Sequence, residues 1–293
     1  VYSSFQMKDY QEYFNRELQE MSPDFVPYGA WVKQFYELRD GVPLWTLNGL
    51  QEHKVDTLSR FISDSYTHGL PASSFCFAEA DSCICQLKNN AVDNEAEVLY
   101  ETLFKLEMNL TESFLRYATA MKFGATDPRR VNGEKWLNKT QNADSLFVIE
   151  SLQQFSNLTA TLEDMAPHDT NYIRLQKELV RLYPLKDTVL TKIPEKEIAK
   201  DHRDPAVRLV CQRLHLTGEL PQSVQETDTL NAAVLAAVNL FRVNNAIVES
   251  DKLDVETMEK LNRPISYYVD RLTANMERLR WKVLPAKGDH YVA

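Results

Sequence analysis

The chain has 293 residues, 44% apolar and 26% charged, which is the composition of a folded protein and the length of about two domains. Its eight glycines are under 3% of the sequence, against a usual ~7%. Gly-rich phosphate loops and hairpin-dense β architecture are therefore not expected, and a mainly α fold is. Lys plus Arg total 33 and Asp plus Glu 42, a formal charge of −9. The densest basic cluster, Arg129-Arg130, follows a proline, so a nucleic-acid partner is not expected.

No stretch approaches the ~18–20 apolar residues of a membrane helix, because the longest comparable run, 230–241, is broken by Asn231 and Asn239. A membrane span is not expected. The opening Val1-Tyr2-Ser3-Ser4 lacks a signal peptide's charged and apolar regions. Either the protein is cytosolic or an export signal has been removed, and a first residue of Val rather than Met favours the second.

In chain order, Tyr10, Tyr13, Phe14 and Leu18 predict a first amphipathic helix, and Val32, Phe35 and Tyr36 a second that ends near Gly41 and Pro43. Val55, Leu58, Phe61, Ile62 and Tyr66 mark a third over 50–66, stopped by His68-Gly69-Leu70-Pro71. Residues 72–92 show no clear period and are expected to form a loop with little regular structure. That stretch holds Cys76, Cys83 and Cys85, for which free thiols, a loop disulfide and a metal site all remain open, although Cys-x6-Cys-x-Cys fits no common zinc spacing.

Leu99, Leu103, Leu106, Leu110, Phe114, Tyr117 and Met121 recur at intervals of 4, 3, 4, 4, 3 and 4, predicting a long helix over 94–122 closed by Phe123-Gly124. It should be the spine of a bundle. Two further helices are predicted over 145–165 and 171–183, with Pro184 ending the second. Residues 186–204 read as a linker.

Three short helices are expected between 205 and 261, on Val207/Val210/Cys211/Leu214, Leu230/Val234/Ala237/Val238/Phe241 and Leu253/Val255/Met258/Leu261. A long helix from Ile265 to about Trp281 follows, and 288–293 alternates like an opening strand.

Chemistry is sparse. Cys211-Gln212-Arg213 has His202 upstream and His215 four residues on, but Cys211 lies on an apolar helix stripe, where a thiol behaves as a small hydrophobe. His68 is expected to satisfy carbonyls at a helix C-terminus, and His53, His168, His202 and His290 to lie at the surface. No catalytic, cofactor-binding or metal-binding residue is assigned, and no cofactor is implied.

Several separated motifs are similar to those of one known family. Tyr36-x-x-Arg39-x-x-x-Pro43-Leu44-Trp45, His68-Gly69-Leu70-Pro71, Leu110 to Ala118, Phe123-Gly124 and Asp127-Pro128 resemble the N-terminal scaffold domain of large periplasmic L,D-transpeptidases. Leu158, Leu162, Pro167, Tyr172, Leu175, Leu179 and Tyr183 resemble that scaffold's closing helices. Asp204-Pro205-Ala206-Val207-Arg208, Arg213-Leu214, Thr217-Gly218-Glu219-Leu220 and Ala233-Val234 to Phe241 are similar to the family's peptidoglycan-binding-like module. Leu261-Asn262-Arg263-Pro264, the run from Asn275 to Trp281, and Leu284-Pro285 look like the helix leading into its catalytic domain.

The resemblance implies a helical-bundle scaffold domain over 1–190, a small three-helix peptidoglycan-binding-like module over 200–262 and a connecting helix over 263–285. Residues 286–293 would be the first strand of a catalytic domain. It also implies peptidoglycan and the protein's own C-terminal catalytic domain as partners, and a periplasmic location.

Two departures qualify this. The loop from Phe241 to Leu253 contains no glycine where the family typically has an Asp-Gly turn, so peptidoglycan binding by the module is expected to be weak. The family's catalytic signature, a His-Gly element followed by Ser-x-Gly-Cys-x-Arg, is absent, and Cys211-Gln212-Arg213 matches only its last three positions. The full-length enzyme would be a cysteine acyltransferase, and this chain is expected to be its non-catalytic front, acting in peptidoglycan cross-linking and wall remodelling. The alternative is a catalytically inactive periplasmic helical scaffold or interaction protein.

Overall fold

The computed structural model describes residues 5–47, 50–88, 96–132 and 142–281. The fold is mainly α, and the chain divides into two compact units: Val1–Arg181 with Arg271–Ala293, and Leu182–Asp270.

In the first unit, α1 (Met7–Glu20), α2 (Gly29–Glu37), α3 (Glu52–Ser63) and α4 (Phe77–Lys88) precede the long α5 (Ala96–Phe123). The short α6 (Pro128–Asn132), then α7 (Ser145–Gln153), α8 (Leu158–Asp164) and α9 (Thr170–Leu182) follow. All seven residues of the predicted α5 stripe are buried. Phe104, Met108, Leu115 and Ala118 are buried as well, so α5 is apolar round most of its circumference rather than along one stripe. Helices α1, α3, α4 and α7 all pack against it.

Two expectations are corrected here, and the state of the cysteines is decided. Residues 72–88 of the expected loop are helical, the rest lying outside the described residues: a 3-10 turn at Ala72–Phe75 leads into α4, whose Ala80, Ile84 and Leu87 are buried in the core that includes α5. These three apolar positions, diluted by Cys, Asp and Glu, give too weak a period to read. All four cysteines are free thiols, with Cys83 packed on the core and Cys85 exposed. The single helix predicted over 145–165 is broken by a 3-10 turn at Gln154–Asn157. There Phe155 meets Trp45 edge-on at 4.5 Å between ring centroids, and the Thr161 hydroxyl donates to the Gln154 and Asn157 carbonyls.

One buried carboxylate ties the front of this unit to α5. Glu107 accepts from the backbone N–H groups of Leu44 (2.5 Å), Trp45 (2.9 Å) and Thr46 (2.9 Å), and from the hydroxyls of Thr46 (2.9 Å) and Tyr36 (2.7 Å). Thr111 Oγ1 bonds the Tyr36 hydroxyl and accepts from the Trp45 indole. Burial pushes the Glu107 carboxyl pKa up, against those donors. The Tyr36-to-Trp45 motif is thereby explained as a structural clamp around one acid.

In the second unit, β1 (Ile198–Ala199) pairs antiparallel with β2 (Lys252–Leu253), and α10 (Pro205–Thr217), α11 (Ala232–Asn244) and α12 (Val255–Leu261) surround a separate core. Asp204, Asn231 and Asp254 each cap the helix they precede. The predicted linker 186–204 is instead built into this unit. Ile193 is fully buried, and the Asn262 side chain bonds both its N–H and its carbonyl. The glycine-free loop after α11 is held by the buried Arg242, which donates to Asn239, Ser250, Lys252, Asp254 and Thr257. Ala246 takes the left-handed conformation there, φ 54°.

Helix α13 (Ile265–Arg280) begins in the second unit and, from Arg271, belongs to the first. The strand expected over 286–293 and residues 282–285 of the connecting helix lie outside the described residues. Among the described residues, no helix is long and apolar enough to cross a membrane.

Candidate functional site

The sequence elements that stand out within the first unit converge around the end of α13. After α3, a 3-10 turn at Asp64–His68 closes on Gly69, at φ 71°, and Ser65 Oγ donates to the Leu70 carbonyl. Helix α5 ends on Gly124, at φ 94°, whose N–H returns to the Ala120 carbonyl. Both glycines also stand where α13 arrives. A Cβ on Gly69 would lie 2.9 Å from Thr273, and one on Gly124 would lie 2.7 Å from the Trp281 indole. Left-handed backbone and close approach together require glycine at both places.

Glu277, Arg280 and Trp281 then lock this junction. Glu277 Oε1 accepts from the Thr126 N–H (2.8 Å) and the Trp281 indole (3.1 Å), while Oε2 accepts from Arg280 Nη1 (2.7 Å). Arg280 Nη2 donates to the Tyr172 phenol oxygen (3.0 Å) and to the His68 carbonyl. The Tyr172 hydroxyl lies 2.9 Å from His68 Nδ1, and Gln176 Nε2 lies 3.2 Å from His68 Nε2. His68 therefore does not cap a helix with its ring, as the sequence suggests; its backbone carbonyl receives Arg280 and its ring serves α9. Burial, then the Arg280 charge, pushes the imidazole pKa down to about 4, so the ring is neutral near pH 7. Burial likewise raises the Tyr172 phenol, against the pull of Arg280.

A cavity of about 350 Å³ opens beside this lock, lined in part by Tyr28, Thr119, Lys122, Gly124, Arg280 and Trp281. A second, of about 430 Å³, shares Tyr28, Thr119, Gly124 and Ala125 with it and extends to Leu70, Phe75 and Arg116. Arg280 is 4% exposed and every nitrogen but one is bonded; its Nε, like the buried Thr119 Oγ1, has no partner.

The model of the scaffold-domain family matches residues 30–179, half of the chain. The chain belongs to the scaffold-domain family. No curated protein matches it closely enough to count as a relative. The matched span runs from α2 to α9, so the scaffold domain contains Glu107 and its clamp, the His68-Gly69 turn, Gly124 and Tyr172. Arg280 and Trp281 come to it from beyond that span.

Within the second unit, Cys211 is fully buried on α10 and its thiol, raised in pKa by burial, points to the Thr227 carbonyl at 3.8 Å. His215 Nδ1 bonds the Leu220 carbonyl at 3.0 Å, and His202 is exposed. His53 and His168 are exposed too, whereas His290 lies outside the described residues. Among the described residues, no group of His, Cys, Asp and Glu could hold a metal ion. Glu107 of the scaffold domain and Arg280, which reaches it from α13, carry the buried polar contacts of the first unit; sequence reading passed over Glu107 and took Arg280 only as one letter of the 275–281 run. Glu107 sits one turn from Leu103 and Leu110 of the α5 stripe, and a carboxylate at that position was the signal that could have marked it.

Proposed function

We propose that this chain is the scaffold-bearing, non-catalytic portion of an L,D-transpeptidase that cross-links and remodels peptidoglycan in the periplasm. The observation that carries this reading is the docking of α13 onto the scaffold domain, with Thr273 against Gly69, and Glu277 and Trp281 of the 275–281 motif against Gly124. It joins in space three motifs that resemble that family separately in sequence. Within this reading the transpeptidation step belongs to a catalytic domain elsewhere in the enzyme. There a thiolate would attack the diaminopimelate carbonyl of one tetrapeptide stem, forming a thioester and releasing the residue that follows it, and an amine of another stem would take the acyl group and free the thiolate. Cys211 does not suit that task, since its thiol is buried, protonated and directed at a backbone carbonyl.

The second unit would face the wall with a modified loop, because Arg242 and the left-handed Ala246 fix the segment after α11 in its own conformation. With a chain charge of −9, long-range attraction to anionic wall polymers adds little. The test is the cross-link composition of peptidoglycan from cells lacking this protein. Diaminopimelate-to-diaminopimelate cross-links should fall and return on complementation; unchanged cross-links in both strains would refute the reading. Retention on insoluble peptidoglycan should be weak and insensitive to deletion of 205–261, whereas strong retention lost on that deletion would identify a working binding module.

A further inference from the structure

Three arginines are buried among the described residues, and they differ in one respect. Arg242 pairs with the Asp254 carboxylate and Arg280 with that of Glu277, each at 2.7 Å, whereas Arg213 on α10 forms no ion pair. Its guanidinium donates instead to two backbone carbonyls, from Nε to Leu261 at the end of α12 (3.2 Å) and from Nη2 to Thr191 (2.7 Å). The one group of opposite sign acting on it is the Tyr268 phenol, which burial pushes up to about 12 and so keeps neutral near pH 7. A buried charge without a counter-charge is rare in a folded protein. The remaining nitrogen, Nη1, has no protein acceptor among the described residues, yet it is not one of the unpartnered atoms shut off from solvent, so it keeps accessible surface. Arg213 is 5% exposed and lines a cavity of about 430 Å³, with Val189, Leu190, Leu209, Gln212 and Glu226 among its neighbours there.

We propose that this cavity of the second unit binds an aliphatic carboxylate, one oxygen of which accepts from Arg213 Nη1. Charge selects the class of ligand. A single unpaired cation is balanced by a monoanion, whereas a phosphate dianion would leave a net negative charge in a cavity that Glu226 already borders. The Glu226 carboxylate is itself engaged by Gln212, which donates to it at 3.0 Å. The rest of the wall suits a hydrocarbon chain, since Val189, Leu190 and Leu209 supply aliphatic surface and Val189 is 97% exposed. A cavity of this size takes a chain of several carbons. The site stands on these side chains alone, whether or not the protein acts at the cell wall.

The experiment is amide chemical-shift mapping of the whole chain, titrated with hexanoate, which stands for a fatty acid, and with N-acetyl-leucine, which stands for the end of a peptide, each beside its own amide. Saturable shifts at Thr191, Gln212 and Gln222 are expected with at least one acid, at an affinity of about 1 mM for so small a probe, and the tighter acid identifies the source. Each amide should bind roughly tenfold more weakly than its acid. Val189→Glu, at a position too exposed to disturb folding, should weaken the acid about threefold, and Val189→Lys should tighten it by a similar factor, both effects shrinking in high salt. Arg213→Gln should abolish acid binding. Because Arg213 also ties Thr191 to Leu261, that variant can unfold, and the Val189 pair then decides alone. Equal binding of acid and amide, unchanged affinity for the acid in both Val189 variants, or no shifts at these amides up to ~20 mM of either acid would each overturn the proposal.

Discussion

Two buried charges organise the scaffold domain, and they are treated in opposite ways. The Glu107 carboxylate receives five donors, three of them backbone amides of the turn between α2 and α3. Arg280 is held by three partners, and its Nε–H is buried without one. The saturated charge has nothing left to offer a ligand and serves the fold. The unsaturated one is where the fold has stopped short of satisfying itself.

The sharpest way to break this contrast is to remove the carboxylate. Glu107→Ala would strand three amide N–H groups and two hydroxyls inside the core, and should destabilise the unit by ~4–5 kcal/mol or abolish its folding. Chemical denaturation reads this; a loss below ~1 kcal/mol would mean that water reaches the clamp.

A smaller effect is expected at the other charge. Gly124→Ala must place a Cβ in left-handed backbone and against the Trp281 indole, costing about 2–3 kcal/mol. Trp281 fluorescence should shift in the same variant. A neutral Gly124→Ala would show that α13 does not seat where the structure puts it.

The third effect is set by pH. The His68 ring has its folded pKa lowered from 6.5 to about 4, so below pH 6.5 the unfolded chain takes up a proton that the folded one refuses. This contribution is whole above pH 6.5 and is lost as the pH falls towards 4, amounting to roughly 2–3 kcal/mol. His68→Gln should flatten that part of the stability profile. An unchanged profile would place the ring in solvent.

The sequence conveyed the helices well where an apolar period ran long and uninterrupted, as on α5, and conveyed their stops where glycine had a conformational reason, as at Gly69, Gly124 and Gly218. It failed where tertiary contacts override local pattern. Phe155 turns the chain into a 3-10 step to reach Trp45, and α4 folds on three buried positions that an acidic, Cys-rich sequence obscures. The candidate site was the least legible part. Its residues come from α5 and from the far end of α13, and only the fold reveals that Arg280 is buried against His68 and Tyr172 rather than in water. The motif glycines were visible as letters, but their reason, the arrival of Thr273 and Trp281, lies more than 150 residues further along.

The central claim, that this chain supports transpeptidation without performing it, is tested most directly by incubating the purified protein with peptidoglycan stem tetrapeptides and an acceptor amine, and following products by mass spectrometry. With Cys211 buried and bonded to the Thr227 carbonyl, neither transpeptidation nor carboxypeptidase cleavage should be detected. Turnover by the wild-type chain that disappears in Cys211→Ser would contradict the account.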